Sequence, residues 1–473
     1  MGSFVKKFSG KNILIVGAGV TGKSCAKVLT KFQASVTLFD EKIAEKSTSE
    51  YKLINEISAS SSNSQTTFDL AVVSPGWRLD HPVIKQLRDL KIPLISEVDL
   101  AWQIKTELAP NQRWIALTGT NGKTTTIQMV QSIFDAAKVN GKACGNVGET
   151  VIESVTKSPS FDYLALELSS FQIAWSELPT FSAVSILNIA EDHLDWHGSF
   201  ESYAAAKLKL TNQAKVVILN KTDSAITSRA GEKGEKLNGN NQNIVWYSLQ
   251  TPKIGEIGLV ENLIIDRAFG DSQSADEIAE LSDIKPTVPH NVLNAMAAAA
   301  LCLAIGISHK FVKQGLANFK TDHHRLELVA RENEISWVDD SKATNPHAAE
   351  AALLAHEKVV WIAGGLAKGA QMRDLIANCH NRIRAAILIG QDRKLISDAM
   401  AEIAPKIPIF LVDGENSNEL MEKVVKKAAE IAVANDTVLL APACASMDQF
   451  ISYAHRGELF ANAVKKSLKV AAV

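Results

Sequence analysis

Residues Trp114–Thr126 read WIALTGTNGKTTT, and the fold is decided there. The apolar run Trp114, Ile115, Ala116, Leu117 predicts a buried strand. It breaks at Gly119, and Thr124, Ile127, Met129 and Val130 predict a helix beyond the break. A strand, a glycine loop and a helix in succession aim backbone N–H groups and the positive end of a helix at one point. Gly119, Thr120, Asn121, Gly122, Lys123, Thr124 and Thr125 make up the loop. Lys123 adds a mobile cation and the Thr124 hydroxyl a Mg²⁺ ligand, so the unit reads as a triphosphate cradle. The standard G-x-x-x-x-G-K-[ST] pattern would put a glycine at Leu117, so this loop is shorter than standard. The plain alternative is a Gly/Asn turn beside a solvated lysine.

A second glycine turn stands nearer the N-terminus. Asn12–Asp40 holds a strand, Gly17-x-Gly19-x-x-Gly22, a helix, and a strand ending in Asp40, eighteen positions past Gly22. That spacing is close to the dinucleotide fingerprint, which suggests an NAD-dependent oxidoreductase. Its physical content is narrower: a pyrophosphate at a helix N-terminus and a carboxylate for a hydroxyl or base edge. A UDP-sugar offers both, so the motif does not choose between them. A tight turn that binds nothing is also open.

The bulk numbers set outer limits. The 473 residues suggest two to four domains, and 46% hydrophobic with 22% charged residues is ordinary globular composition. A net charge of −2 gives no electrostatic reason to expect nucleic acid or an anionic membrane as partner. Cys25, Cys144, Cys302, Cys379 and Cys444 are scattered without C-x-x-C spacing, which fits a reducing compartment and argues against a zinc site or disulfide framework. No signal peptide is visible, and the longest apolar stretch, Ala295–Ile307, is too short to span a bilayer. A cytoplasmic protein without membrane insertion is expected, working as a monomer.

Along the chain, Ser60–Thr67 reads as a polar loop and Phe68–Val73 as a strand ending in Ser74-Pro75-Gly76. Strands alternating with helices and ending in glycine-rich loops indicate parallel sheets with binding at the strands' C-terminal ends. The first domain boundary is placed near Trp102–Asn111. Tyr163–Leu168 is apolar except for Glu167, a carboxylate that needs a partner: Mg²⁺ on the phosphates, or the N-terminus of the next helix. Asp192, His193 and Asp195 cluster after the strand Ala183–Leu187; His193 reads as a metal ligand or as a merely hydrogen-bonded ring. Lys207, within the helical stretch Phe200–Leu210, reads by composition as a solvated lysine. Asn220-Lys221-Thr222-Asp223 and Asp195-Trp196-His197-Gly198 match short GTPase patterns in the right order, but the cradle lacks a GTPase's spacing.

Pro289–Asn294 opens an Ala-rich helix whose Asn291 and Asn294 can cap it or reach a nucleotide base. Phe319–Leu326 is the second boundary. The last third is again α/β, with strands at Ile335–Val338, Val359–Ala363, Ala386–Ile389, Ile409–Val412 and Thr437–Leu440. The loops Asp339–Pro346, Gly364–Gly369 and Ala441–Asp448 suggest one composite ligand face, or three ordinary connections.

GTNGKTT, ELSSFQ, NIAEDHLDWH, HNVLNA, HHRLE, DDSKATNP, GGLAKG and PACASMDQF occur in that order over essentially the whole length. Together they resemble the ATP-dependent Mur ligases of peptidoglycan synthesis, most of all the branch that adds D-glutamate to UDP-N-acetylmuramoyl-L-alanine. The resemblance implies an α/β protein of three domains: a Rossmann-like UDP-binding domain (1–104), a P-loop-like ATPase domain (105–321) and a Rossmann-like amino-acid-binding domain (322–473). It implies that ATP converts the alanyl carboxylate to an acyl phosphate, which the amine of glutamate then attacks. The physics agrees, since a carboxylate is inert to amines until one oxygen becomes a leaving group.

Carried over by position, Lys123 and Thr124 hold the phosphates and a first Mg²⁺, with Glu167 on that metal and His193 on a second. Lys207 matches a lysine that is carbamylated in the family, which reverses its bland reading. Asn146 matches a substrate-side contact. Asn291 and Asn294 would lie by the adenine, Arg325 and Asp340 on the nucleotide's phosphate and ribose, and Lys342 near the transferred phosphate. Thr344, Lys368 and Ser446 resemble residues that grip the glutamate carboxylates; Thr21, Asp40 and Ser74-Pro75-Gly76 would handle UDP. Two departures concern the amino acid: Gln371-Met372 stand where Asp-Phe is usual, and Tyr453 where Phe is expected against the glutamate. A Mur-type ligase adding another amino acid, or L-glutamate, is therefore the nearest alternative.

Overall fold

The computed structural model describes residues 6–42, 51–56, 68–177, 179–231, 234–235, 237, 242–270 and 274–468. The loop expected at Ser60–Thr67 lies outside them. The chain forms two compact units, Met1–Ile284 with Asn291–Phe319, and Lys285–His290 with Lys320–Val473.

The first unit holds two sheets. In the first, β1 (Asn12–Val16), β2 (Ser35–Phe39), β3 (Lys52–Ile54), β4 (Leu70–Val73) and β5 (Leu94–Ser96) run parallel in the order β3-β2-β1-β4-β5. The strands are near-continuous apolar runs because both faces are covered. Ser96 then starts the helix Glu97–Leu108 with a capping box completed by Asp99. Residue 104 lies within that helix.

The second sheet contains β6 (Arg113–Thr118), β7 (Gly141–Gly145), β8 (Tyr163–Glu167), β9 (Phe181–Ile186), β10 (Ala214–Asn220), β11 (Asn243–Tyr247), β12 (Glu256–Val260), β13 (Leu263–Asp266) and β14 (Asp276–Glu280). Its order is β14-β13-β12-β11-β10-β9-β6-β8-β7, and only the last hairpins, β12-β13-β14, are antiparallel. Strand β6 has β9 on one side and β8 on the other, so the segments that follow β6, β8 and β9 leave the sheet side by side. This is the crevice at which open parallel sheets take ligands. One apolar cluster joins the sheets, from Ile13, Val98 and Leu100 to Trp114, Leu164 and Leu166. Among the described residues, no helix is long and apolar enough to cross a membrane.

The second unit is built on β15 (Glu327–Glu332), β16 (Ile335–Asp339), β17 (Val359–Gly364), β18 (Ile383–Ile389), β19 (Ile409–Leu411) and β20 (Thr437–Leu440), ordered β15-β16-β20-β17-β18-β19. Only β15 is antiparallel. It was not expected from the sequence, where HHRLE reads as a boundary. The order places β16, β20 and β17 next to one another, so the three polar loops that follow them share an edge.

Candidate active site

The cradle forms as its sequence predicts. Gly122 adopts φ +80°, which favours glycine, and the helix Lys123–Ala136 starts directly after it. The loop is pinned by Asn188, whose side chain accepts from Asn121 N at 2.8 Å and donates to Asn121 O at 3.0 Å. Thr120 accepts from Ala190 N at 3.0 Å and shares a 2.9 Å bond with the Tyr203 hydroxyl. Thr124 and Thr125 are buried in the first helical turn. Lys123 curls back, its Nζ donating to Gly119 O at 2.7 Å and Thr120 O at 2.8 Å.

Four further groups converge on this loop. Glu167, at the end of β8, is 1% exposed; Asn146 Nδ2 donates to its Oε1 at 3.1 Å, while its buried Oε2 has no hydrogen-bond partner. The alternative of Glu167 as a helix cap does not hold, because Ser169 caps the helix Ser170–Trp175. An unsatisfied buried carboxylate oxygen costs about 1–3 kcal/mol or more, and a cation would offset that cost. Lys207 is also 1% exposed, its Nζ donating to Gly119 O at 2.9 Å and lying 4.6 Å from the Tyr203 ring centroid. Burial above all, and then the Lys123 charge, hold its pKa well below that of an ordinary lysine. The solvated reading from composition is wrong.

His193 sits in the left-handed region, φ +53°, with its ring against Phe171 at 4.7 Å. Burial lowers its pKa, the lysines Lys123 and Lys207 add to the shift, and Asp192 and Asp195 oppose it. A neutral imidazole is the form that binds metal. Asn291 and Asn294 are buried on the helix Pro289–Leu303, and a Cβ on Gly122 would lie 2.4 Å from Asn294 Oδ1. The asparagine therefore packs directly over the loop.

The GTPase-like string has structural duties instead. Asp223 accepts from Ile226 N at 2.9 Å as a helix cap and from Ile189 N at 3.0 Å, tethering the loop that leads to His193. Asn220 donates to Leu187 O at 2.9 Å, and Lys221 pairs with Glu256.

In the first sheet, Asp40 accepts from Ala18 N at 2.9 Å and Lys42 N at 3.1 Å. Ser74 donates to Gly17 O at 3.2 Å, so the turn, Asp40 and the Ser74–Gly76 loop form one edge. Thr21 is in the first turn of the helix Val20–Lys31, and Gly76 is exposed beside the same edge.

In the second unit the three polar loops do meet. Ala443 N donates to Ala343 O at 2.9 Å, Gly364 N to Pro442 O at 2.8 Å, and Leu366 and Ala445 pair in both directions. Arg456, which the sequence reading missed, ties them together. Fully buried, it donates from Nε to Ser341 Oγ at 3.0 Å and from Nη2 to Ser341 O at 2.9 Å and Cys444 O at 3.2 Å. Nothing in the sequence distinguishes it from a surface helix arginine. Burial pushes Asp340 up to about 7, against the pull of Leu326 N–H and of Arg325. Lys342 Nζ lies 5.3 Å from the Tyr453 ring centroid. Lys368 is exposed in a left-handed conformation, φ +49°, Thr344 is half-buried and Ser446 is buried. At the first of the two departures, Met372 is buried with Leu375 and Ile376, keeping an apolar core contact, while Gln371 is exposed.

Comparison with known proteins agrees with this geometry. Residues 11–96 match the family model "Mur ligase MurD-like, N-terminal domain", 117–302 "Mur ligase middle domain" and 324–444 "Mur ligase, glutamate ligase domain". The UDP-N-acetylmuramoylalanine–D-glutamate ligase of Thermobifida fusca is 42% identical over 96% of this chain and 98% of its own. That of Streptomyces coelicolor is 40% identical over 97% and 99%. Among solved structures, a pseudomurein peptide ligase type C from Methanothermus fervidus shares the fold, with a TM-score of 0.60 at 18% identity over 97% of this chain and 100% of that one. With matching domains in the same order and full-length relatives of one name, the chain belongs to the Mur ligase family, in the group of UDP-N-acetylmuramoylalanine–D-glutamate ligases.

Proposed function

We infer that the chain is an ATP-dependent ligase that adds D-glutamate to UDP-N-acetylmuramoyl-L-alanine in peptidoglycan precursor synthesis. The full-length relatives support this reading. The observation that carries it is the buried Glu167 oxygen without a partner, set in one cradle with Lys123 and Lys207.

The alanyl carboxylate attacks the γ-phosphorus of ATP, the bond to ADP breaks, and an acyl phosphate forms. The amine of D-glutamate adds to its carbonyl, loses a proton, and the tetrahedral intermediate collapses to an amide and inorganic phosphate. The protein contributes positioning and charge neutralisation. Lys123, with the N–H groups of residues 119–125, neutralises the phosphates. Asn291 and Asn294 take the adenine side. Thr124 and Glu167 fit one Mg²⁺, and His193 with a carbamylated Lys207 a second; bound Mg²⁺ would offset the charge on the phosphate oxygens. Lys207 is suited to carbamylation because a lowered pKa raises the share of neutral amine, and only the neutral amine adds CO₂, releasing a proton. Without the carbamate, Lys207 would bring no anionic oxygen to the metal and none to offset the Lys123 charge beside it.

Thr21, Asp40, Ser74 and Gly76 hold the UDP end, and Asn146 the muramoyl side. Arg325 and Asp340 serve the nucleotide's phosphate and ribose, and Lys342 the transferred phosphate. Thr344, Lys368, Ser446 and Tyr453 grip the glutamate. The corresponding domains are 1–104, 105–321 and 322–473, in a cytoplasmic monomer. The test is phosphate release from ATP with UDP-N-acetylmuramoyl-L-alanine across D- and L-amino acids. Release only with D-glutamate is expected. Release with another amino acid would keep the mechanism and reassign the specificity to the Lys368–Met372 and Ser446–Tyr453 loops.

A further inference from the structure

The loop after β4 is bonded to the segments that carry Glu167 and His193. Trp196 Nε1 donates to Gly76 O at 3.2 Å, Trp175 Nε1 to Trp77 O at 2.9 Å, and Arg78 Nη1 to Asp195 O at 2.6 Å. All three acceptors are main-chain carbonyls, so the bonds fix the path of the chain rather than the pose of a side chain. Trp175 ends the helix that follows β8 and Glu167; Trp196 lies in the short helix Leu194–His197, three residues past His193. The Trp196 ring stands 4.8 Å from Phe171, the same ring that His193 packs against at 4.7 Å. Trp77 meanwhile reaches into the glycine turn, where a Cβ on Gly17 would lie 2.9 Å from its Nε1.

One contact path thus runs from the Gly17 turn through Trp77 and Gly76 to Trp196, Phe171 and His193. We propose that Trp196 is a positioning residue, a latch through which the UDP substrate at Ser74–Trp77 sets the His193 loop for the phosphates. The proposal rests on the reading of Ser74–Gly76 as the UDP-substrate loop. A substrate that orders this loop orders the carbonyl that Trp196 binds, and through the shared Phe171 ring the backbone at His193. The two ligands should therefore bind cooperatively.

The test uses the full chain and calorimetry. The dissociation constant of the β,γ-imido analogue of ATP is measured with and without saturating UDP-N-acetylmuramoyl-L-alanine. In the wild type the UDP substrate should tighten analogue binding at least about fivefold, the lower end of ordinary coupling. Trp196→Phe keeps a ring against Phe171 and removes the N–H. Its analogue affinity alone should stay within about twofold of wild type, its affinity for the UDP substrate should fall about fivefold for one lost hydrogen bond, and the coupling factor should drop towards one. Arg78→Gln, at an exposed position that does not threaten folding, should lower the same factor part of the way. Full wild-type coupling in Trp196→Phe, or a wild type that binds both ligands with no coupling, overturns the latch. A wild type that does not bind the UDP substrate at all overturns the ligase reading instead.

Discussion

The chain makes the same turn twice and uses it differently. At Gly17–Gly22 the surrounding groups satisfy one another: Asp40 takes the Ala18 N–H, and Ser74 bonds the Gly17 carbonyl. At Gly119–Thr124 the surroundings are kept in tension. Two lysines lean on the same Gly119 carbonyl, at 2.7 and 2.9 Å, and a carboxylate oxygen is buried without a donor. A strand–glycine–helix unit therefore says only that phosphate can approach. Whether chemistry happens there is decided by charges that the fold buries at a cost.

The largest break in that comparison is Lys123→Ala. It should lower turnover by about 10³-fold or more, the scale for losing a principal charge on a transferring phosphoryl group. The melting temperature should stay near wild type, because the lysine's bonds to Gly119 O and Thr120 O lie within its own loop. Near-normal phosphate release would sink the cradle assignment. Lys207→Ala should cost about 10²-fold and be partly restored by millimolar acetate or formate, small carboxylates that replace the missing anionic oxygens. Full activity without added carboxylate would refute the carbamate.

Two glycine substitutions test the turns themselves. A Cβ on Gly22 would sit 1.8 Å from the Gly17 carbonyl oxygen, a backbone clash that cannot relax cheaply. Gly22→Ala should destabilise the first sheet by about 1–3 kcal/mol and weaken the UDP substrate. Gly122→Ala meets Asn294 Oδ1 and carries φ +80°, so it should raise the KM for ATP about tenfold, with a smaller loss of melting temperature. Reversed ligand effects would mean that the turns have been assigned to the wrong nucleotides.

What the sequence disclosed follows the same division. Strand–turn–helix units were legible because glycine, lysine and apolar periodicity are local signals, and the three loops of the second unit were legible as candidates because each follows an apolar run. Their meeting depends on β16, β20 and β17 being neighbours, which no single segment encodes. Lys207 read as a surface residue because composition alone puts a lysine in solvent, and its burial comes from the Gly119 loop and the Tyr203 ring packed around it. Asn220–Asp223 matched a GTPase pattern without its function because a short string carries no information on what its side chains reach; Asp223 reaches Ile189 N. Arg456 and the indole donors Trp175 and Trp196 act on carbonyls distant in sequence, and so were invisible.

The smallest effect concerns a buried charge outside the cradle. Glu97, 3% exposed, accepts from Ile152 N at 2.7 Å and joins the helix after β5 to the short helix Val151–Val155 that follows β7. Burial pushes its carboxyl up to about 7, with Glu153 and Asp99 adding to the shift and the Ile152 and Val151 N–H groups opposing it. A carboxyl raised in this way holds its proton in the native state after the unfolded chain has lost it, so its contribution to stability is complete below about 4.5 and is lost as pH climbs to about 7. At about 1.36 kcal/mol per pH unit, the window sets a ceiling of about 3 kcal/mol. Glu97→Gln keeps an acceptor for Ile152 and cannot ionise. Its melting temperature should match wild type near pH 5 and exceed it near pH 8. Parallel melting curves across that range would show that this carboxylate is as much at ease when charged as any at the surface. Glu167→Gln would then be the sharper probe, because in the cradle the fold leaves a buried carboxylate oxygen for a cation to claim.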